Sequence, residues 1–190
     1  MLVLHPIYGN TAIMSVLYDE SKVHMLDPYL TADELAEKLC SCPDEERIML
    51  LGYGTKNGLL AHEDGFSFMM HRLIIGPNQA ELLRAHGKEL IGLWNNSATF
   101  ARKENLEGLF CEGLITNLRE AESRGIITLQ MHIDESLETM FTELSNLLSE
   151  DCPLKDIPNR MKKLSYQQNG IGSFNYRSFK YIQPKSRFTP

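Results

Sequence analysis

Two short runs constrain this chain more than any other feature. Arg47 to Leu51 and Leu90 to Trp94 carry apolar residues consecutively instead of alternately. A strand that is apolar on successive residues has no face to give to water, which suits a parallel sheet covered by helices on both sides. Each run stops at turn chemistry: Gly52-Tyr53-Gly54-Thr55 after the first and Asn95-Asn96-Ser97 after the second. In an open parallel sheet the ligand sits at the carboxyl ends of the strands, so these two segments mark the edge to examine.

The rest of the pattern supplies the other layers. Met1 to His5 and Lys22 to Leu26 are short apolar runs closed by prolines, and both read as strands. Thr31-Ala-Asp-Glu34 forms a capping box that starts a helix, with Leu35 and Leu39 on its buried stripe. Between Gly58 and Ile75, turn signals at Asn57-Gly58 and Asp64-Gly65 predict one or two short antiparallel strands at an edge. Gly76-Pro77-Asn78 introduces a helix to Ala85, Ser97 is expected to cap a short helix reaching Asn105, and Gly108 to Gly113 reads as a further strand. A helix over 117–124 follows. Asp134 is expected to cap a longer one, whose Leu137, Met140, Phe141, Leu144, Leu147 and Leu148 recur on one face. Pro153 to Leu164 reads as another helix, and the aromatic alternation from Ser173 to Ile182 as a bulged edge strand. The expectation is an α/β fold: a three-layer sandwich with a mainly parallel sheet flanked by helices and a small antiparallel edge hairpin. Residues 1–182 form one domain, and 183–190 a basic C-terminal tail.

Several classes of function are excluded at this stage. No run approaches the roughly 18 apolar residues of a membrane-spanning helix, and the opening MLVLHPIYGN lacks the basic and apolar regions of a secretory signal. A cytoplasmic, non-membrane protein is expected. Cys40, Cys42, Cys111 and Cys152 have no disulfide-framework spacing and are read as reduced. With 25 acidic against 19 basic residues the chain is net −6, the wrong sign for a nucleic-acid surface. The exception is local, since Arg177, Lys180, Lys185 and Arg187 close the chain without an acid among them. A tail lying against the acidic body is the plain reading of that run, and an anionic partner the sharper one.

Taken by themselves the two strand ends say little. Gly52-Tyr53-Gly54 permits close backbone approach, yet a phosphate loop requires more glycines and a well-placed Lys, which Lys56 is not. Asn95 and Asn96 are good turn residues with amide donors and acceptors. Neither the Cys40-Ser-Cys42 spacing nor the scattered histidines suit a metal, and no metal or cofactor is expected. Arg119, Glu120 and Glu122 could recognise charged groups, with a solvated helix face as the plainer reading.

Three longer stretches carry more. Met49-Leu-Leu-Gly-Tyr-Gly-Thr-Lys-Asn-Gly-Leu59, Ile91-Gly-Leu-Trp-Asn-Asn-Ser-Ala-Thr-Phe100 and Gly108-Leu-Phe-Cys-Glu-Gly-Leu-Ile-Thr-Asn-Leu-Arg-Glu-Ala121 resemble a family of small bacterial single-domain proteins. In that family the corresponding segments read Leu-Gly-His-Gly, Ile-Trp-Cys-Asn-Ala and Gly-Phe-x-Ser-Gly-Met-x-Ile-Ser-Glu-x-x-Glu-Ala. Leu4-His5-Pro6, Asp134-Glu135-Ser136 and Phe174 to Tyr181 also fit, so the resemblance spans about residues 1–182. The family's His and Cys, at consecutive strand ends, look like the dyad of caspase-like cysteine peptidases (caspases, clostripain, gingipain and CHAT domains).

That chemistry needs a thiolate nucleophile, a histidine that exchanges a proton near neutral pH, and amides for the oxyanion. Here Tyr53 stands at the His position and Asn95 at the Cys position. A phenol with an ordinary pKa of about 10 is a poor general base at pH 7, and an amide is no nucleophile. The resemblance therefore implies a caspase-like pseudoenzyme with no catalytic residue, binding a peptide or protein partner through a strand-end groove. That groove would comprise Gly52, Gly54, Thr55, Trp94, Asn96 and Ser97 around Tyr53 and Asn95, which would face one another and could hydrogen-bond through phenol and amide. Two alternatives stand beside it. One is a cysteine or serine hydrolase of peptide or acyl substrates with a displaced nucleophile, Cys111 or Ser97, although Cys111 reads as an inert buried thiol and its pairing with His62 or His71 would need special geometry. The other is a structural homo-oligomer built by edge pairing of the C-terminal strand.

Overall fold

The computed structural model describes residues 1–62, 71–168 and 170–185. The turn expected at Asp64-Gly65 and Arg187 of the tail lie outside the described residues. The chain forms a six-stranded mixed sheet in the order β2-β1-β3-β7-β8-β9, from β1 (Leu2–Leu4), β2 (His24–Leu26), β3 (Ile48–Leu51), β7 (Leu90–Leu93), β8 (Gly108–Cys111) and β9 (Phe179–Ile182). The first five in that order run parallel, and β9 closes the edge antiparallel to β8. A second, three-stranded antiparallel sheet comprises β4 (Tyr53–Thr55), β5 (Gly58–His62) and β6 (His71–Ile75).

Both faces of the central strands are buried, and their side chains divide by strict alternation. Val3, Met49, Leu51, Ile91, Leu93, Leu109 and Cys111 point to one core, where they meet α5 (Gln130–Ser149), α6 (Ile157–Leu164), α7 (Ile171–Tyr176) and a 3-10 helix, Gly9–Leu17. Leu2, Leu4, Ile48, Leu50, Leu90 and Phe110 point to the other, covered by α1 (Ala32–Cys40), α2 (Pro77–Ala85) and α3 (Ser97–Glu104). The remaining α-helix among the described residues, α4 (Leu118–Glu122), lies at the carboxyl edge and sends Ala121 into the first core. No helix among the described residues is long and apolar enough to cross a membrane.

Local chemistry sets most boundaries. The capping box forms as expected, the Glu34 amide donating to Thr31 Oγ1 and the Thr31 amide to Glu34 Oε2. Three expectations need correction. The 171–176 part of the aromatic segment is helix α7, because Phe174 and Tyr176 pack against the α5 side of the sheet, and only Phe179–Ile182 extends β8. Helix α5 starts a turn before Asp134, which accepts from Gln130 Nε2 instead of capping. The cap of α3 is Asn96, in the left-handed region at φ 68°, and Ser97 is already helical.

The small sheet is tied to the large one by Trp94. Its indole is wholly buried, and Nε1 donates to the Thr55 carbonyl at 3.0 Å. Gly54 lies directly over the ring, so that a Cβ there would fall 2.3 Å from Trp94 Cδ1 and 2.6 Å from the Gly58 carbonyl oxygen. Neither the indole nor the backbone can withdraw, which gives this glycine a packing reason and removes any need for a phosphate. Gly54→Ala is expected to destabilise the protein by about 1–3 kcal/mol through overpacking, read as a lower urea midpoint with an unchanged slope.

Candidate functional site

The carboxyl ends of β3 and β7 deliver Gly52, Tyr53 and Asn95 to one narrow cavity. Its other walls come from the 3-10 helix (Asn10, Thr11, Ile13, Met14), from Leu114 and Thr116 beyond β8, and from Leu137 and Phe141 of α5. The space open to the centre of a water molecule is about 30 Å³, enough for a water or two and far short of a drug-sized ligand. Tyr53 stands at the mouth, 45% exposed.

Asn95 is engaged on both sides of its amide. Oδ1 accepts from the Leu114 amide at 2.6 Å, and Nδ2 donates to Glu120 Oε1 at 2.9 Å. Glu120 Oε2 in turn accepts from the Thr116 amide and hydroxyl, at 2.7 and 3.0 Å. The Thr116 carbonyl takes Asn10 Nδ2 and Gln130 Nε2, while Asn175, fully buried, pairs with both the amide and the carbonyl of Ile115. Glu120 is thus a structural acceptor at the site and no solvated bystander. No hydrogen bond joins Tyr53 to Asn95 among the described residues; the phenol packs beside the His71 ring, 5.2 Å between centroids. Tyr8 stacks on His62 at 4.6 Å, and His62 faces His71 at 5.6 Å, so two tyrosines and two histidines form one aromatic group at the mouth.

The remaining residues expected at the groove separate from the cavity. Asn96 is exposed and Thr55 half-buried, but Gly54, Trp94 and Ser97 are buried. Ser97 Oγ donates to the Gly92 carbonyl at 2.7 Å and accepts from the Cys111 amide at 2.9 Å, locking β7, β8 and α3 together. The Cys111 thiol, fully buried, donates to the Trp94 carbonyl at 3.0 Å, and burial pushes its pKa up to about 12. Such a thiol supplies almost no thiolate at neutral pH. Cys111 and Ser97 do touch, yet both are sealed from any substrate.

His5, at the end of β1, organises the 3-10 wall. The Thr11 carbonyl can only accept, so Nε2 carries the proton at 3.0 Å, and the Tyr18 hydroxyl donates to Nδ1 at 2.9 Å. The ring is 3% exposed, and desolvation lowers its pKa to about 4, outweighing the opposing Thr11 bond. Among the described residues no group of three or more His, Cys, Asp or Glu side chains is placed to hold a metal ion.

In comparisons with models of known protein families, with curated proteins and with solved structures, nothing matches this chain.

Two outcomes follow from this geometry. Asn95→Ala leaves the Leu114 amide and Glu120 Oε1 without these partners and is expected to cost about 1–3 kcal/mol. Asn95→Asp keeps the acceptor but sets two carboxylates together, so its deficit in urea unfolding should shrink at low pH where the Ala deficit persists. His5 binds a proton more weakly folded than unfolded, so its contribution is complete above pH 6.5 and is lost as pH falls toward about 4. The difference in unfolding free energy between the native chain and His5→Gln should shrink by up to roughly 3 kcal/mol across that window, measured by urea titrations at stepped pH.

Proposed function

We propose that this domain is a catalytically inactive relative of the caspase-like cysteine peptidases that works by binding a peptide or protein at the carboxyl edge of its sheet. One observation carries the reading. Tyr53 and Asn95, the positions that the sequence resemblance matches to the His and Cys of a dyad, line the same cavity at adjacent parallel strand ends. A base and a nucleophile acting on one carbonyl must converge in this way. Their replacements have no comparable chemistry: one is a phenol packed on a histidine, the other an amide committed to its own scaffold.

A displaced nucleophile gains no support from the geometry, because the only hydroxyl and thiol singled out for that role are enclosed. Binding also requires a surface larger than the cavity, and the exposed rings of Tyr8 and Tyr53 with Ile7 beside them provide one continuous with its mouth. Aromatic side chains of this kind give large contact area at low entropic cost.

The test is intact-mass labelling by a panel of peptide acyloxymethyl ketones, run on the native chain beside the double variant Tyr53→His, Asn95→Cys. The native chain should remain unlabelled under native conditions, while the variant is labelled at residue 95. Because Asn95→Cys removes the clamp on Leu114 and Glu120, the variant's fold is verified by circular dichroism, and Tyr53→His alone serves as the folded control. Labelling of the native chain at Cys111 or Ser97 would overturn the inactive reading, and a folded double variant inert to the whole panel would overturn the dyad correspondence.

A further inference from the structure

A second concavity lies on the same edge of the sheet, past the end of β8. It has a volume of about 560 Å³ and is open to solvent. Arg124, which follows α4, and Arg177, which leads into β9, both line it, together with Ile126, Ser173 and Phe174.

The charge balance there is opposite to that of the chain. The whole protein is net −6, so carboxylates are plentiful, yet neither Arg124 nor Arg177 makes an ion pair among the described residues. The one carboxylate on the wall, Glu112, is already held by Arg102 at 2.9 Å and Lys180 at 3.7 Å. Glu112 is thus shared between two cations, while Arg124 and Arg177, on the same wall, have no carboxylate partner among the described residues.

Both guanidinium groups are also pre-oriented. Arg124 Cζ sits 4.0 Å from the centroid of the Phe174 ring, and Arg177 Cζ 5.4 Å from that of Tyr166. Arg177 Nε is further fixed by donating to the buried Ser165 hydroxyl at 3.0 Å, which leaves its terminal nitrogens available. An arginine seated on a ring presents its N–H edge in a defined plane, and that fork fits an oxyanion in bidentate fashion. Ile126 and Phe174 add apolar wall beside the charged end.

We propose that this concavity is a binding site for a phosphate monoester carried on a small molecule with a flat apolar body, the phosphate held by Arg124 and Arg177 and the body lying on Ile126 and against the edge of Phe174. Phosphate fits better than carboxylate because a monoester brings nearly two negative charges and three acceptor oxygens to two forks. The assignment goes beyond the inactive-peptidase reading and does not depend on it, since none of its residues lines the Tyr53–Asn95 cavity.

The experiment is an amide and arginine Nε–Hε nuclear magnetic resonance titration of the full chain with phenyl phosphate, inorganic phosphate and benzoate. Phenyl phosphate should bind saturably with a Kd of about 1 mM or tighter, shifting Gly113, Ser173 and the Nε–Hε signals of Arg124 and Arg177. The double variant Arg124→Gln, Arg177→Gln should weaken it by about tenfold or more, while Glu112→Gln, which removes the competing acid, should tighten it by about threefold. Both arginines are exposed, and each variant's spectrum reports its own fold. Benzoate binding as tightly as phenyl phosphate would overturn the phosphate assignment. Shifts that stay linear to about 10 mM, or that persist in a folded double variant, would overturn the site.

Discussion

The backbone from Leu114 to Thr116 leaves the sheet after β8 with no neighbouring strand to accept its polar groups, and its surroundings are buried. An unpaired amide in such a place costs about 1–3 kcal/mol. Side chains replace the missing ladder. Asn95 takes the Leu114 amide, Asn175 both polar groups of Ile115, and Glu120 the Thr116 amide, while Asn10 and Gln130 converge on the Thr116 carbonyl. These five come from the end of β7, α7, α4, the 3-10 helix and α5, so one three-residue stretch fixes the mutual positions of five elements. The cavity and its walls exist because that stretch is held.

The layers of the fold were legible in the sequence, because burial on both faces writes itself as consecutive apolar residues and capping writes itself at fixed spacing. Ile48–Leu51, Leu90–Leu93, the Thr31–Glu34 box and the Gly76-Pro77 helix start all follow this logic. The 3-10 helix over Gly9–Leu17 left no comparable signature, since only Met14 and Leu17 of its nine residues are buried. The aromatic run at 174–181 misled for a related reason: a six-residue helix and a four-residue strand joined directly produce a broken alternation that resembles a bulge. Thr116, Asn10 and Gln130 carry no sequence signal, and Glu120 reads as a solvated residue, because a hydrogen-bond network across loops has no period to detect. Trp94 and Ser97, by contrast, flank Asn95 and Asn96 in the chain but are turned inward, which a motif cannot reveal without knowing where the strand ends.

On the reading proposed above, position 95 has exchanged one use for another. A thiol there would lack the separate acceptor and donor by which Asn95 joins Leu114 to Glu120. The change therefore reaches further than the loss of a nucleophile, because it ties the former reaction centre into the scaffold that shapes it. The same scaffold borders the cationic concavity: the Leu114–Thr116 stretch begins one residue after Gly113, against which the Arg124 guanidinium packs closely enough that a Cβ at Gly113 would lie 3.6 Å from it. A narrow cavity lined by Tyr53 and Asn95 and a wider one lined by arginines are consequently two sides of one clamp.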